Sequence, residues 1–472
     1  MADWTLLLTW TIFLLTYGGL ALGRIPGLRT DRAGIALVGA TLLLVTGVVT
    51  LAEATSPESI DYKTLILLFG MMIVVGSLRL AGFFERLTKL ALRHIATPRG
   101  LLAVTIALAG VLSAFLINDV VCVALAPLVL HVARRLGFDP LPHLIGLATA
   151  ANIGSTGTIT GNPQNIYIGV HSGIAYGRFA LRLMPLALVC LVVDFLVIAL
   201  VYRDRLTADD PLGDEQDDRK PASDAHRAFY QRTVPGAAQV SGARAAGGRP
   251  ERNNAASGVR SDKPASRVPR GAERNNTSKR HARLQAKAVT IALAAVVLFF
   301  AGLPLELVAL GAAGLTLLDR VNPRKIYREV DWSLLVMFAG LFVVVHAFQM
   351  HVVAAWHIDR WHWLLDRPVD LLSLVSAGLS NVVSNVPAVL LLEPVVQAMP
   401  AADRETAWLA LAMSSTLAGN LTVLGSVANL IVVESAAREG FRISFWEYCR
   451  AGIPVTLLTL ALGVAWLEFV RY

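Results

Sequence analysis

The chain is poor in charge and in sulfur. Lys, Arg, Asp and Glu make up 16% of its 472 residues, against roughly 25% in an ordinary soluble domain. That shortfall excludes a soluble globular protein. With 55% hydrophobic residues the chain as a whole is not disordered, and three cysteines are too few for a disulfide scaffold. Nor does it contain a nucleotide-binding loop, a nucleophile elbow or a metalloprotease helix. What remains, at a mean hydropathy of +0.58, is a polytopic membrane protein.

The net charge of +8 would suggest nucleic acid only if it lined one folded surface. Residues 203–287 hold 18 of the 42 Lys+Arg and 11 of the 34 Asp+Glu, a net of +7. The segment is rich in Ala, Gly, Pro, Ser, Asn and Arg and has no sustained apolar run. It reads as a disordered cytoplasmic linker, acidic from Asp209 to Asp218 and basic from Arg227 to Lys287. No nucleic-acid partner is expected, because basic loops mark the cytoplasmic side of any membrane protein.

Apolar runs of spanning length occur at 4–23, 34–52, 64–82, 182–202, 288–303, 306–319, 331–349 and 450–468. The 288–303 and 306–319 runs read as two helices with a tight turn, or as one bent element. The first run lacks a basic n-region, so it is expected to stay as a helix rather than to be cleaved. The stretches 100–133, 143–170, 371–399 and 404–433 are too long for simple spans. Residues 100–133 are bounded by Arg99 and by Arg134-Arg135, so both ends belong inside. They fit a helical hairpin that enters from the cytoplasm and returns. Residues 371–399 fit a second hairpin, entering from outside. Both termini then lie outside, and the linker lies inside.

The halves repeat one another. Asp61, Leu65, Gly70, Val74 and Val75 match Asp331, Leu335, Gly340, Val344 and Val345 at an offset of 270. Leu112, Ser113, Asn118, Leu125, Pro127 and Val129 match Leu379, Ser380, Asn385, Leu392, Pro394 and Val396 at 267. Thr158, Gly161 and Asn165 match Thr422, Gly425 and Asn429 at 264. An odd number of crossings in each half predicts opposite orientations. The expected fold is therefore all-α and polytopic, with two inverted repeats (1–202 and 288–472). Each repeat has about five transmembrane helices, a re-entrant hairpin and an interrupted helix. Inverted repeats with broken helices are the signature of secondary transporters.

Four polar breaks fall at membrane depth, where a bare backbone is tolerated only against protein or a cavity. They are the hairpin tips at Asn118-Asp119 and Ser384-Asn385, and the stretches 152–165 and 418–429. Asn, Ser and Thr oxygens and freed carbonyls are hard ligands for Na⁺, and freed N–H groups at helix starts attract an anion. The candidate substrate and ion ligands are Asn118, Asp119, Thr156, Thr158, Gly161, Asn162 and Asn165 from the first half. Ser384, Asn385, Asn420, Thr422, Gly425 and Asn429 come from the second. Asp119 is the expected coupling group, since a mid-membrane carboxylate is costly and retained for a role. Glu393 and Asp194 are weaker candidates. His346, His351, His357 and His362 lack a metal spacing, and Cys122, Cys190 and Cys449 read as small buried hydrophobes.

The run Leu116-Ile117-Asn118-Asp119-Val120 to Pro127, then Gly161-Asn162-Pro163-Gln164-Asn165, then Ser384-Asn385-Val386-Pro387 resembles the ion transporter superfamily. Within it the arsenite permease, citrate transporter and divalent anion:sodium symporter families are most similar. The resemblance covers nearly all of the chain except 203–287. It implies hairpin tips that bind Na⁺ and a substrate carboxylate, an elevator-like movement of the hairpin-bearing domain, and often a homodimer. The symporters carry Ser-Asn-Thr at their tips; here the triplets are Ile117-Asn118-Asp119 and Ser384-Asn385-Val386. The Asn-Asp pair is more similar to the arsenite permease and sodium/proton antiporter branches.

The sequence thus predicts a secondary transporter in a plasma (bacterial inner) membrane. It carries a small inorganic oxyanion or carboxylate, needs no cofactor, and is coupled to H⁺ or Na⁺. The alternative is a Na⁺/H⁺ antiporter without an anion substrate. Weaker rivals are a membrane-embedded enzyme and a receptor acting through 203–287.

Overall fold

A computed structural model of the chain describes residues 2–22, 30–91, 95, 97–207, 270–318, 322–353, 365 and 367–470. Among them every regular element is helical. The first half runs α1 (Ala2–Leu22), α2 (Arg32–Val45), α3 (Leu51–Ala54), α4 (Tyr62–Leu80), α5 (Phe83–Ala91), α6 (Pro98–Phe115), α7 (Asn118–Arg135), α8 (Pro140–Ser155), α9 (Pro163–His171) and α10 (Tyr176–Val201). The second runs α11 (Arg270–Phe300), α12 (Leu305–Leu317), α13 (Pro323–Tyr327), α14 (Trp332–His351), α15 (Asp370–Val383), α16 (Asn385–Ala398), α17 (Ala401–Leu417), α18 (Val427–Arg438) and α19 (Phe445–Val470).

Local chemistry sets the boundaries. Asp61 and Asp331, matched in the sequence, cap α4 and α14 by accepting from Thr64 N (3.2 Å) and Leu334 N (3.0 Å). Pro98, Pro140, Pro163 and Pro323 open their helices, where a missing N–H costs nothing. The run 34–52 is not one helix: α2 stops at Val45, Gly47 takes φ +71°, and α3 follows behind a Thr50/Glu53 capping box. Between α11 and α12 the chain turns through Gly302 (φ +80°) and Pro304, so this pair is two helices. The helices α10 and α19 begin at Tyr176 and Phe445, before the apolar runs at 182 and 450.

Helical structure occurs at both ends of the stretch 203–287. Arg203–Leu206 form a 3₁₀ turn that buries Leu206 and pairs Arg205 with Asp139 at 3.0 Å. At the other end, residues 270–287 are the first turns of α11. Residues 208–269 lie outside the described residues.

Among the described residues seven helices are long and apolar enough to cross a membrane: Trp4–Leu22, Tyr62–Leu80, Pro98–Phe115, Tyr176–Val201, Arg283–Phe300, Trp332–His351 and Phe445–Val470. Their outward faces stay bare, as at Leu181 and Leu200 on α10 and Leu293 and Val297 on α11. Such walls would be an aggregation liability in water; in lipid they are the solvent-facing surface. The chain is an all-α polytopic integral membrane protein.

The helices form two bundles. One, the frame, joins α1, α2, α4, α11, α12 and α14. Its packing crosses between halves: α2 lies on α14, and α12 lies on α4. The matched glycines make these contacts possible. A Cβ on Gly340 would sit 2.7 Å from Ala36 C, and one on Gly70 would sit 2.7 Å from Ala309 C. The other bundle joins α6 to α10 and α15 to α19. At its centre α8 is buried at every residue from Pro140 to Ser155. Here 100–133 folds as the pair α6/α7 and 371–399 as α15/α16, both side by side. The overlong stretches 143–170 and 404–433 each split into two helices around a break.

Candidate functional site

The two breaks are built alike. After α8 the chain makes a 3₁₀ turn at Ile159–Gly161, and after α17 it makes one at Val423–Gly425. Breaking a helix strands carbonyls, and a buried carbonyl needs a donor. Asn165 Nδ2 reaches back to Ser155 O (3.1 Å) and Thr158 O (3.0 Å). Asn429 Nδ2 does the same for Gly419 O (2.7 Å) and Thr422 O (3.0 Å). These acceptors are themselves offset by 264, like the asparagines. Gly161 and Gly425 leave the room: a Cβ would lie 2.3 Å from Ser155 O in one case and 2.7 Å from Gly419 O in the other.

Several candidate ligands therefore spend their side chains on the break. Asn165 and Asn429 stitch it. Asn162 caps α9 by accepting from Asn165 N at 2.9 Å, and Ser426 caps α18 by accepting from Ala428 N at 3.2 Å. Thr156 donates to Asn152 O at 3.2 Å, and the Thr158 hydroxyl donates to Ala114 O near the first hairpin tip. Thr422 contributes its carbonyl. Gly161 and Gly425 contribute space.

The remaining candidates meet in a cluster between the halves. Asn118, at the first tip, donates to Asn152 Oδ1 at 3.0 Å. Asn152 Nδ2 donates to Asn420 Oδ1 (2.8 Å) and Asn429 Oδ1 (3.0 Å), and Ser426 Oγ donates to Asn152 Oδ1 (3.0 Å). At the second tip, Asn385 with its amide paired throughout reaches Ser380 Oγ (2.6 Å), Gly425 O and Ser415 O (both 3.2 Å). Its Oδ1 accepts from Gln164 Nε2 at 3.3 Å. Asn162 and Gln164 both donate to Thr416 Oγ1 at 3.2 Å. Each hairpin tip is thus joined to the breaks of both halves. Three buried amide oxygens at the breaks and tips, Asn118 Oδ1, Asn165 Oδ1 and Asn381 Oδ1, have no hydrogen-bond partner among the described residues.

The hairpin tips differ from the breaks in one respect. Both α7 and α16 begin without a side-chain cap. Neither Ile117 nor Ser384 offers a side-chain acceptor to the first N–H groups of its helix. Asp119 lies in the first turn of α7, partly exposed, without a hydrogen bond or ion pair to a described residue. At the second tip Ser384 Oγ is 3.5 Å from the Arg32 guanidinium, and Tyr17 Oη donates to Pro387 O at 3.3 Å.

Sequence reasoning passed over some of these residues. Arg32 was one loop cation among several, and its approach to a tip 352 residues away has no local signal. Asn152, Gln164 and Ser426 lay inside the quoted breaks, where only the contact pattern separates hub from flank. Glu393 accepts from the Tyr167 hydroxyl. Asp194 is fully buried and lies 3.0 Å from Thr149 Oγ1. The three cysteines are buried and unpaired. Of the histidines, His351 Nε2 is 3.3 Å from Val48 O, while His357 and His362 lie outside the described residues. No group of three metal ligands occurs among the described residues.

Known proteins share this chain's sequence over nearly its full length. A silicon efflux transporter of Oryza sativa subsp. japonica is 32% identical over 462 residues, 93% of each chain. An uncharacterized transporter of Mycobacterium tuberculosis is 27% identical, over 98% of this chain and 97% of its own. A putative transporter named arsB from Dictyostelium discoideum is 27% identical, over 93% and 87%. The family model for citrate transporters matches residues 12–418, a span that takes in both hairpins and the first break. The chain belongs to the citrate transporter family.

Proposed function

We infer that the protein is a secondary transporter that moves a small anion, an inorganic oxyanion or a carboxylate, driven by a gradient of H⁺ or Na⁺. The observation that carries this reading is the contrast in helix starts. Asn162 and Ser426 cap α9 and α18, whereas α7 and α16 open uncapped beside the asparagine cluster. Uncapped N–H groups and the positive end of the helix dipole suit an anion, and Arg32 at the second tip adds a full positive charge.

In this reading the halves 1–202 and 288–472 are inverted repeats, with 203–287 between them on the cytoplasmic side and both termini outside. The hairpin bundle moves against the frame, as a homodimer in the plasma membrane. Tyr17 and Arg32 are frame contacts that the second tip breaks and remakes. Asn118, Asp119, Asn385, Asn420 and their neighbours form the site, and Asp119, unpaired and partly exposed, is the coupling group.

The test is uptake into proteoliposomes under separately imposed Na⁺ and pH gradients. The panel takes citrate from the family model, a silicon oxyacid from the silicon efflux relative, and arsenite from the resemblance to arsenite permeases. Gradient-dependent uptake of one of them supports the reading. Asp119→Asn should abolish coupling; full coupled uptake by that variant would remove Asp119 from the role. The second reading, a Na⁺/H⁺ antiporter, draws on Asp119 and on the unpartnered Asn118 Oδ1 and Asn165 Oδ1, which suit a cation. It predicts Na⁺-driven proton movement with no anion present.

A further inference from the structure

Asp194 is a second carboxyl group in the hairpin bundle, and the scheme above does not use it. It lies on α10, fully buried, with one hydrogen-bond partner. Its Oδ1 has none.

The partner has more acceptors in reach than its one hydrogen can serve. Thr149 Oγ1 lies 3.0 Å from Asp194 Oδ2 and 3.0 Å from Ile145 O, the carbonyl one turn earlier in α8. A hydroxyl has one hydrogen and two lone pairs. Ile145 O can only accept. If Thr149 donates to it, the Asp194 contact is a hydrogen bond only when the carboxyl itself donates. The neutral acid satisfies both contacts at once. The ionised form would leave a buried charge with one shared hydrogen bond, which is expensive without a counter-charge.

No counter-charge is in place. On α8 the contact is Thr149; His143 lies six residues earlier, and its ring nitrogens have no partners among the described residues. From α19 the neighbour is Tyr448, a neutral phenol whose hydroxyl also faces Asn429. On α10 itself Cys190 stands one turn away. Arg99 on α6 and Asp403, Arg404 and Glu405 on α17 sit at or near the helix starts, and Lys287, midway along α11, donates to Leu318 O at 2.7 Å. Only Thr149 acts on Asp194 through a specific contact. A metal cation would need about six oxygens, and this set falls short. A proton needs none beyond those present.

The same threonine belongs to the site. Its carbonyl accepts from Asn420 Nδ2 at 3.3 Å, and Asn420 Oδ1 accepts from Asn152, which holds Asn118. A continuous path therefore runs from Asp194 through Thr149, Asn420 and Asn152 to the first hairpin tip. If Asp194 loses its proton, the Thr149 hydroxyl must turn from Ile145 O to the carboxylate. That removes a side-chain bond to the α8 backbone one turn before Asn152.

We propose that Asp194 is a proton-binding site of the transport cycle, protonated in this conformation and emptied to solvent once per turnover. It acts on the anion site as a positioning residue, through Thr149. The proposal rests on the transporter reading and names H⁺ as one ligand of that machinery. Only a proton is transferred, from the carboxyl to water on one side of the membrane and back from water on the other.

The test has two arms. Infrared difference spectra of wild type against Asp194→Asn, in detergent and without substrate, should show the C=O stretch of a protonated carboxyl in the wild type alone. Thr149→Val should shift that band upward, because the acid loses its acceptor. In proteoliposomes, Asp194→Asn mimics the neutral acid, so it should keep anion binding and lose one proton moved per anion. Absence of the band from the wild type overturns the proposal. A band with an unchanged proton count also overturns it, leaving Asp194 as a fixed strut between α8 and α10. If the wild type moves no anion under any gradient, the transporter reading fails and with it the cycle; the infrared arm still reports whether Asp194 holds its proton.

Discussion

Ser384 is held at φ +80° and ψ 160°, the only non-glycine residue with a positive φ among the described residues. That region belongs to glycine and costs other residues of order 1–3 kcal/mol. The strain lies where α15 turns into α16, and the Ser384 hydroxyl faces Arg32 across 3.5 Å. At that length the contact is weak and easily exchanged for a substrate oxygen. Ser384→Gly should therefore raise thermal stability, by about 1 kcal/mol, and weaken anion affinity; a thermal melt and an uptake KM on the same preparation check both. Arg32→Gln should raise the KM for an anion roughly tenfold, the loss of about one charged hydrogen bond. Arg32→Lys should recover part of it, since the charge remains. An unchanged KM in Arg32→Gln would remove the arginine from anion recognition.

At the scale of elements, the breaks depend on close backbone approach. Gly161→Ala puts a Cβ 2.3 Å from Ser155 O, a contact that backbone must move to relieve. Overpacking of this kind costs typically 1–3 kcal/mol, and here it also shifts the stitched carbonyls. Gly161→Ala should abolish uptake while leaving enough folded protein to purify; normal uptake would show that the break tolerates displacement. In the frame, Gly70→Ala and Gly340→Ala should each destabilise by a similar amount, because each glycine lies on another helix's backbone. A melt in which only one of them mattered would argue against equivalent seams.

The hairpins and breaks were legible in the sequence for a physical reason. Polar residues inside an apolar run are costly in lipid, so Asn118-Asp119, 152–165, Ser384-Asn385 and 418–429 stood out. The matched residues proved to do matched jobs, as Asn165 and Asn429 do at their breaks. The division of labour was not legible. Nothing local separates an asparagine that stitches a break, such as Asn165, from one that bridges the halves, such as Asn152. Helix ends also misled: Gly47 and Thr50 cut the run 34–52 where hydropathy saw no boundary.

At the scale of the molecule, the frame and the hairpin bundle are the units expected to move against each other. Excising residues 208–269, while keeping the Arg203–Leu206 turn and the start of α11, should preserve coupled uptake. Its loss would make that segment part of the machinery. Single cysteines in a cysteine-free background, probed from either side, should place Thr55 and Glu439 on opposite faces of the membrane if the halves are inverted.

Composition and pattern alone determined the membrane class and the four polar interruptions, because lipid penalises each unpaired polar group wherever it falls along the chain. Only the tertiary structure decided which interruptions touch. It brought Asn118 to Asn152 and Asn420, Gln164 to Asn385, Arg32 to Ser384 and Asp194 to Thr149. These pairings are set by how α8 and α17 pack within their bundle and how α2 seats on α14, and such long-range packing leaves no local mark in the sequence.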